Sequence, residues 1–422
     1  MRGEPRTTAA LATLPALDGL RAVGALAVVL THVTFQTGQA TRGTGGALLA
    51  RLDVGVAVFF ALSGFLLYRP HAVALRRGSP TPSRWRYSVR RVSRIMPGYW
   101  AALAVVAVAS PAPAGRVLTH LWLGQTYTGA LFPAFTQTWS LCTEAAFYLC
   151  LPLVAAAIRR AVARYGPAAQ PWVLTGLVTL GYGYLAAAHG LGLPDRTLLW
   201  LPGHLDWFVA GMALAAVSAQ GSAGTGRLGS WARQLADWPG TCWAAAGVLL
   251  LFAATPLAGP LTLAPVPDLA AVVKEVLYAA IAVLLLVPAA LGPADRGLGS
   301  LLAHPVSRYL GRISYGIFLW HLLVLRGVFA ITGWGTFSGH LWPVAVLTTF
   351  GAVAVASVSW LLVEGPALRL GDRLTGATAA RSGRGAAEGR EPAIKASTGD
   401  PSGRPPVGSE ADRGERHRTG GE

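Results

Sequence analysis

Charge is scarce in this chain. Of its 422 residues only 13% are charged, against roughly 25% in ordinary soluble domains. Cysteine is scarce too. Cys142, Cys150 and Cys242 lie in apolar runs without CxxC spacing, so no disulfide framework and no metal site is expected, and all three read as small core residues. No glycine motif of the P-loop or dinucleotide-binding kind is present, which removes the usual phosphate cradles. No internal repeat is visible, which weighs against a transporter built from inverted halves. A cleavable signal peptide is excluded as well. Residues 1–16 are mixed, and the first apolar run carries both Arg21 and His32.

What the chain has in quantity is apolar sequence. Hydrophobic residues make up 53% of it, in long runs that recur through most of its length. Helices and closed barrels alone satisfy their backbones in hydrocarbon, and these runs are too long and too continuous for barrel strands. The expected fold is therefore all-α, a polytopic membrane helix bundle of about ten transmembrane helices. The candidate spans are 17–37, 54–71, 95–110, 140–158, 171–189, 200–218, 242–258, 270–291, 310–331 and 341–363. The net charge of +16 would suit nucleic acid, but its placement does not. Arginines crowd the 72–94, 159–170, 219–241 and 292–309 loops and are sparse in those between. That alternation puts both termini in the cytoplasm. No nucleic-acid partner is expected; the lipid bilayer is. The Ala-, Gly- and Arg-rich composition points to a high-GC genome and a bacterial plasma membrane. Three segments follow: a cytoplasmic stretch 1–13, a transmembrane domain 14–370, and a Gly-, Pro-, Arg- and Glu-rich tail 371–422 that has too little to bury to fold.

Ionisable residues inside such spans cost about 2.5–3.5 kcal/mol each on insertion scales, so each one asks for a reason. In "LDGLRAVGALAVVLTH", Arg21 and His32 stand eleven residues apart, three turns and about 16 Å on one helix face. The loop pattern places Arg21 near the cytoplasmic face and His32 in the outer half. Glu144, in "TWSLCTEAAFYLCLP", and His204 and Asp206, in "PGHLDWFVAG", fall at a similar outer depth; His321, in "ISYGIFLWH", lies near mid-span. A histidine there can serve as a proton-transferring base or as a helix-packing hydrogen bonder. Asp206 suits a cap or a site residue, and His321 suits packing better than chemistry. Arg91 and Arg94, in "RRVSRIMPGYW", are three apart and make a phosphate clamp if the helix has already begun. Ser63 and Gly64 interrupt "VAVFFALSGFLL" in mid-membrane, where small residues permit close packing or line a channel.

Taken together and in chain order, "LDGLRAVGALAVVLTH", "VAVFFALSGFLL", "RRVSRIMPGYW", "TWSLCTEAAFYLCLPL" and "LGRISYGIFLWH" resemble the acyltransferase-3 family of integral membrane acyltransferases over about residues 14–365. The resemblance implies transfer of an acyl group, often acetyl, from acyl-CoA as co-substrate to a hydroxyl. The acceptor it implies is a cell-surface glycan, lipopolysaccharide, peptidoglycan or a natural product such as a macrolide. It makes His32 the essential histidine with Arg21 its partner, gives Arg91 and Arg94 to the donor, and adds the Ser63–Gly64 and Glu144 motifs to the site.

A mechanism follows from the depths. The phosphates of coenzyme A dock on Arg91, Arg94 and Arg21, and the pantetheine arm spans the three turns to His32. His32 then takes the proton of the acceptor hydroxyl, with Glu144, or Asp206 after it, orienting the ring. Asp206 and His321 complete the expected acceptor side. A small-solute transporter without acyl chemistry is the competing expectation.

Overall fold

The computed structural model describes residues 14–220, 227–261, 267–293 and 297–376. Within them the protein is all helix, and each expected span coincides with one. The helices are α1 (Pro15–Gln36), α2 (Gly55–Arg76), α3 (Arg84–Ala109), α4 (Trp139–Tyr165) and α5 (Ala169–Gly190). They continue as α6 (Leu205–Ala219), α7 (Pro239–Ala253), α8 (Asp268–Leu291), α9 (Pro305–Thr332) and α10 (Leu341–Ser359). Seven helical segments are long and apolar enough to cross a membrane, and up to eight if the pair bent by 97° at the start of α7 counts as one. The two remaining expected spans coincide with α5, of 22 residues, and α6, of 15, which are not among these segments.

Three features, two of them helix boundaries, differ from the sequence expectation. α3 starts at Arg84, where the Ser83 hydroxyl accepts from the Arg86 amide, eleven residues before the apolar run begins. Arg91 and Arg94 are thus well inside a helix. At the other end of the chain, α10 passes through a π-helical turn, Trp360–Glu364, into an amphipathic helix, Gly365–Leu374. Arg90 pairs with Asp372 at 3.1 Å and the Arg86 guanidinium donates to the Thr375 carbonyl, so the chain past 370 is pinned to α3. The expected unfolded tail and the N-terminal stretch 1–13 otherwise lie outside the described residues. Cys150 is the third difference: it faces outward from α4, while Cys142 and Cys242 are buried.

The bundle's most extensive contacts are α2 against α6 and α1 against α9, with α9 also packed on α10. The α2–α6 contact depends on glycine from both sides. A Cβ on Gly64 would strike the Phe208 carbonyl, and one on Gly211 would strike the Ala61 carbonyl. Helices in lipid gain no hydrophobic drive from meeting, so such close approach supplies dispersion contacts instead. Deeper polar groups are paired. Arg51, 4% exposed, donates to the carbonyls of Ala253, Ala258 and Gly259 and so satisfies the C-terminal end of α7. Beside it Lys274 meets Asp53 at 2.8 Å, and the Tyr278 hydroxyl donates to the same carboxylate.

Gly211→Val should lower stability by about 1–3 kcal/mol, because overpacking at a backbone contact cannot relax. The thermal midpoint of detergent-purified protein reads this. Gly176→Ala, where an added Cβ meets nothing, is the control and should leave the midpoint unchanged or higher.

Candidate active site

Three arginines read from separate motifs converge. Arg21 of α1 and Arg91 and Arg94 of α3 line one cavity, with Ser63 of α2, Glu144 and Tyr148 of α4, and Tyr315 and Phe318 of α9. Because α3 has begun by Arg84, the i,i+3 spacing does put Arg91 and Arg94 on one face. Their guanidiniums are incompletely used by the protein. Arg91 lies over the Tyr148 ring at 5.8 Å, and its buried Nε has no hydrogen-bond acceptor among the described residues. Arg94 lies over the Trp360 ring at 5.7 Å and reaches the Arg312 carbonyl only at 3.5 Å. Arg21 pairs with Asp18 at 3.3 Å. Donors held in place without matching anions suit an anionic ligand, since a guanidinium presents its N–H groups as a rigid fork.

The cavity's acidic member is Glu144. Its carboxylate accepts the hydroxyl proton of Ser63 across the α2–α4 contact. The expectation that Glu144 orients His32 is corrected by this pairing. Asp206 is corrected too: it is 7% exposed, accepts from the Tyr182 hydroxyl at 3.0 Å, and does not line the cavity. Nearby, His204 pairs with Glu275 at 3.2 Å and Trp207 donates to the Glu275 carbonyl, a buried network with no opening to the arginines. Gly64, expected at the donor site, faces Phe208 and serves the α2–α6 contact instead.

His32 has a different neighbour. Its ring lies 4.9 Å from that of His321, edge to face, and His321 Nε2 is 3.3 Å from His32 Nδ1. The carbonyls around the pair fix where the protons sit, because a carbonyl can only accept. His321 Nδ1 is 2.6 Å from the Phe318 carbonyl, so it carries the hydrogen and its Nε2 presents a lone pair. His32 Nδ1 is 2.8 Å from the Val28 carbonyl and therefore also carries its hydrogen, shared between that carbonyl and His321 Nε2. His32 Nε2 is left as the unprotonated nitrogen. His321 is fully buried, whereas His32 keeps a partly accessible face. Neither ring lines the arginine cavity; Phe318 touches both compartments, since it lines the cavity and its ring centroid is 6.0 Å from that of His321.

Sequence reasoning placed His321 among acceptor residues and missed its contact with His32. The contact joins helices 289 residues apart. Glu364 was missed altogether. It is fully buried at the π turn, accepts from Ser359 at 3.1 Å, and packs against Gly98 and Gly316. An ionisable residue at the end of an apolar run was the available signal. Among the described residues no cluster of His, Cys, Asp and Glu could hold a metal ion.

The chain belongs to the acyltransferase-3 family, whose acyltransferase domain matches residues 14–364. Among proteins of known name it is similar to the acyltransferase MdmB of Streptomyces mycarofaciens, at 29% identity over 85% of this chain and 92% of that protein. It is also similar to nodulation protein 10 of Rhizobium leguminosarum, at 26% identity over 84% of this chain and 93% of that protein. The peptidoglycan O-acetyltransferase OatA of Listeria monocytogenes matches more narrowly, at 25% identity over 45% of this chain and 30% of its own length. No solved structure gives a significant match. Membership sets the chain among acyltransferases rather than solute carriers.

The Ser63–Glu144 pair should behave as one unit. Ser63→Ala and Glu144→Leu each strand a polar partner, at about 1–3 kcal/mol apiece. The double variant should be less destabilised than the sum of the two, with a coupling of about 0.5–3 kcal/mol in thermal unfolding. Strict additivity would show that the two side chains do not depend on each other.

Proposed function

We propose that this protein moves an acyl group, acetyl in the simplest case, from acyl-CoA to a hydroxyl of a glycan or macrolide-type acceptor, with His32 as general base. The observation that carries the reading is the convergence of Arg21, Arg91 and Arg94 in one cavity whose wall abuts the histidine pair. Coenzyme A is long and carries its phosphates at one end and its thioester at the other. The cationic cavity suits the phosphate end, and three helical turns on α1 separate Arg21 from His32, about 16 Å. The cavity opens to the cytoplasm in this reading, where the donor is made.

The chemistry runs through His32 Nε2, the nitrogen left unprotonated by the carbonyls around the pair. It accepts the acceptor's hydroxyl proton as the oxygen attacks the thioester carbonyl. The imidazolium that forms is stabilised through Nδ1–H by the Val28 carbonyl and by the lone pair of His321. The C–S bond breaks, and the leaving sulfur takes up the proton. His321 touches no reacting atom in this scheme; it positions His32 and fixes its tautomer. Family membership and the similarity to MdmB and OatA support acyl transfer.

Binding and turnover separate the roles. Acetyl-CoA titrated into detergent-purified protein should bind saturably, and Arg91→Ala/Arg94→Ala should weaken that binding at least about tenfold, as loss of about 1.4 kcal/mol would. No saturable binding of acetyl-CoA or longer acyl-CoAs to folded wild-type protein would remove the donor assignment. His32→Ala should keep the binding and lose about 10²–10⁴-fold in transfer. Retained turnover would take His32 out of the chemistry.

His321→Phe should lower kcat while leaving donor affinity near the wild-type value. It should also shift the pH profile of kcat, since His32 Nδ1–H loses one of its two acceptors. A structural role alone would lower the amount of folded protein and leave the profile of the remainder unmoved.

A further inference from the structure

The cavity that holds the arginines and the pair that holds the base do not open directly into one another. We infer that Phe59 and Phe318 form the partition between them and set how long an acyl group may pass, an inference that rests on the acyl-CoA reading above. Both rings line the cavity, and they meet edge to face with centroids 6.1 Å apart. They come from different helices, α2 and α9. Phe318 continues the contact to the far side through His321, at 6.0 Å, and His321 continues it to His32, at 4.9 Å. Phe59 stands one helical turn before Ser63, with its ring tip 3.5 Å from where a Cβ on Gly24 would lie, so the ring packs beside that position of α1. A thioester anchored by its phosphates at Arg91 and Arg94 therefore has to part these rings to reach His32.

The pair is suited to that task. An edge-to-face aromatic contact is worth only about 0.5–1.5 kcal/mol beyond its burial, so parting it for a short acyl group is within thermal reach. A longer chain must displace more of a core packed at crystal-like density, and each added methylene meets that resistance again. While closed, the rings keep cytoplasmic water from the base. With the partition thinned, water can take the acceptor's place: its oxygen attacks the thioester carbonyl, the C–S bond breaks, and the products are the free carboxylic acid and the coenzyme A thiol.

The test uses purified full-length protein, Phe59→Leu, Phe318→Leu and the double variant. Calorimetric titration with coenzyme A, acetyl-CoA, butyryl-CoA and hexanoyl-CoA reads the chain-length preference, and thiol release without acceptor reads the leak. An unchanged thermal midpoint certifies that each variant folds, and coenzyme A binding reads the donor cavity that both rings line. Wild type should bind hexanoyl-CoA at least about tenfold more weakly than acetyl-CoA, a discrimination within the range of apolar pockets, and the double variant should reduce that gap to about threefold while releasing thiol faster. Variants that bind coenzyme A normally yet keep the wild-type ranking and the wild-type rate of thiol release would overturn the partition. So would a wild type that binds all three acyl-CoAs equally. A folded wild type that binds no coenzyme A species would instead overturn the donor reading, and the partition with it.

Discussion

Guanidiniums cannot face hydrocarbon, and the arrangement of this bundle follows from where three of them are kept. Arg21, Arg91 and Arg94 arrive on two helices and share one cavity with a single lining carboxylate, Glu144, which is already engaged by Ser63. Aromatic rings rather than anions lie against two of the three. A cation–π contact is weaker than an ion pair and leaves the N–H fork available. The result is a cavity with surplus positive charge, which the Asp18 partner of Arg21 and the Glu144 carboxylate offset only in part. Keeping such charge in a membrane protein is costly, so its retention marks a place where an anion is handled. The glycine-dependent contact of α2 with α6 and the pinning of the C-terminal helix to α3 hold two of the cavity's walls in position.

Charge also explains why the base stands apart from these arginines. Familiar acyl-transfer triads pair the histidine with an ionised carboxylate, which in a low-dielectric setting leaves a net charge on the resting site. Here the partner is a second imidazole. The Val28 and Phe318 carbonyls place a hydrogen on each Nδ1, and no carboxylate among the described residues is hydrogen-bonded to either ring. The nearest carboxylates at that depth have been committed elsewhere: Asp53 to Lys274 and Tyr278, Asp206 to Tyr182, and Glu275 to His204. These acidic groups stabilise helix contacts, and none of them is hydrogen-bonded to the histidine pair.

What the sequence made legible divides along the same line. Apolar run length located every major helix, because hydrocarbon enforces it. It did not locate helix ends: α3 starts eleven residues early, since a serine cap and arginine-rich turns carry no hydropathy signal. Motif resemblance picked out Arg21, Arg91, Arg94, Ser63 and Glu144, and the structure gathers all five into the cavity. Pairings were not legible. Depth along the membrane made Glu144, and Asp206 after it, candidates to orient His32, and depth carries no information about azimuth around the bundle. Gly64 shows the same limit from the other side. A small residue in mid-span is compatible with lining a channel or with touching a neighbour's backbone, and only the position of the Phe208 carbonyl decides.

The unequal burial of the two histidines gives the site a direction. His321 is sealed, and a sealed ring with one hydrogen donated and one lone pair presented has a fixed orientation. His32 leans on it and keeps an accessible face that does not open to the arginine cavity. In the proposed reaction, a donor held by its phosphates and an acceptor delivered to the exposed face of His32 approach from different sides and meet only at the ring. That geometry separates two substrates of opposite character, a polyanion and a neutral hydroxyl compound, without requiring either to pass the other. It also explains why the polar machinery of this protein is so sparse: most of the separation is done by apolar packing, and only the ends of the path need charge.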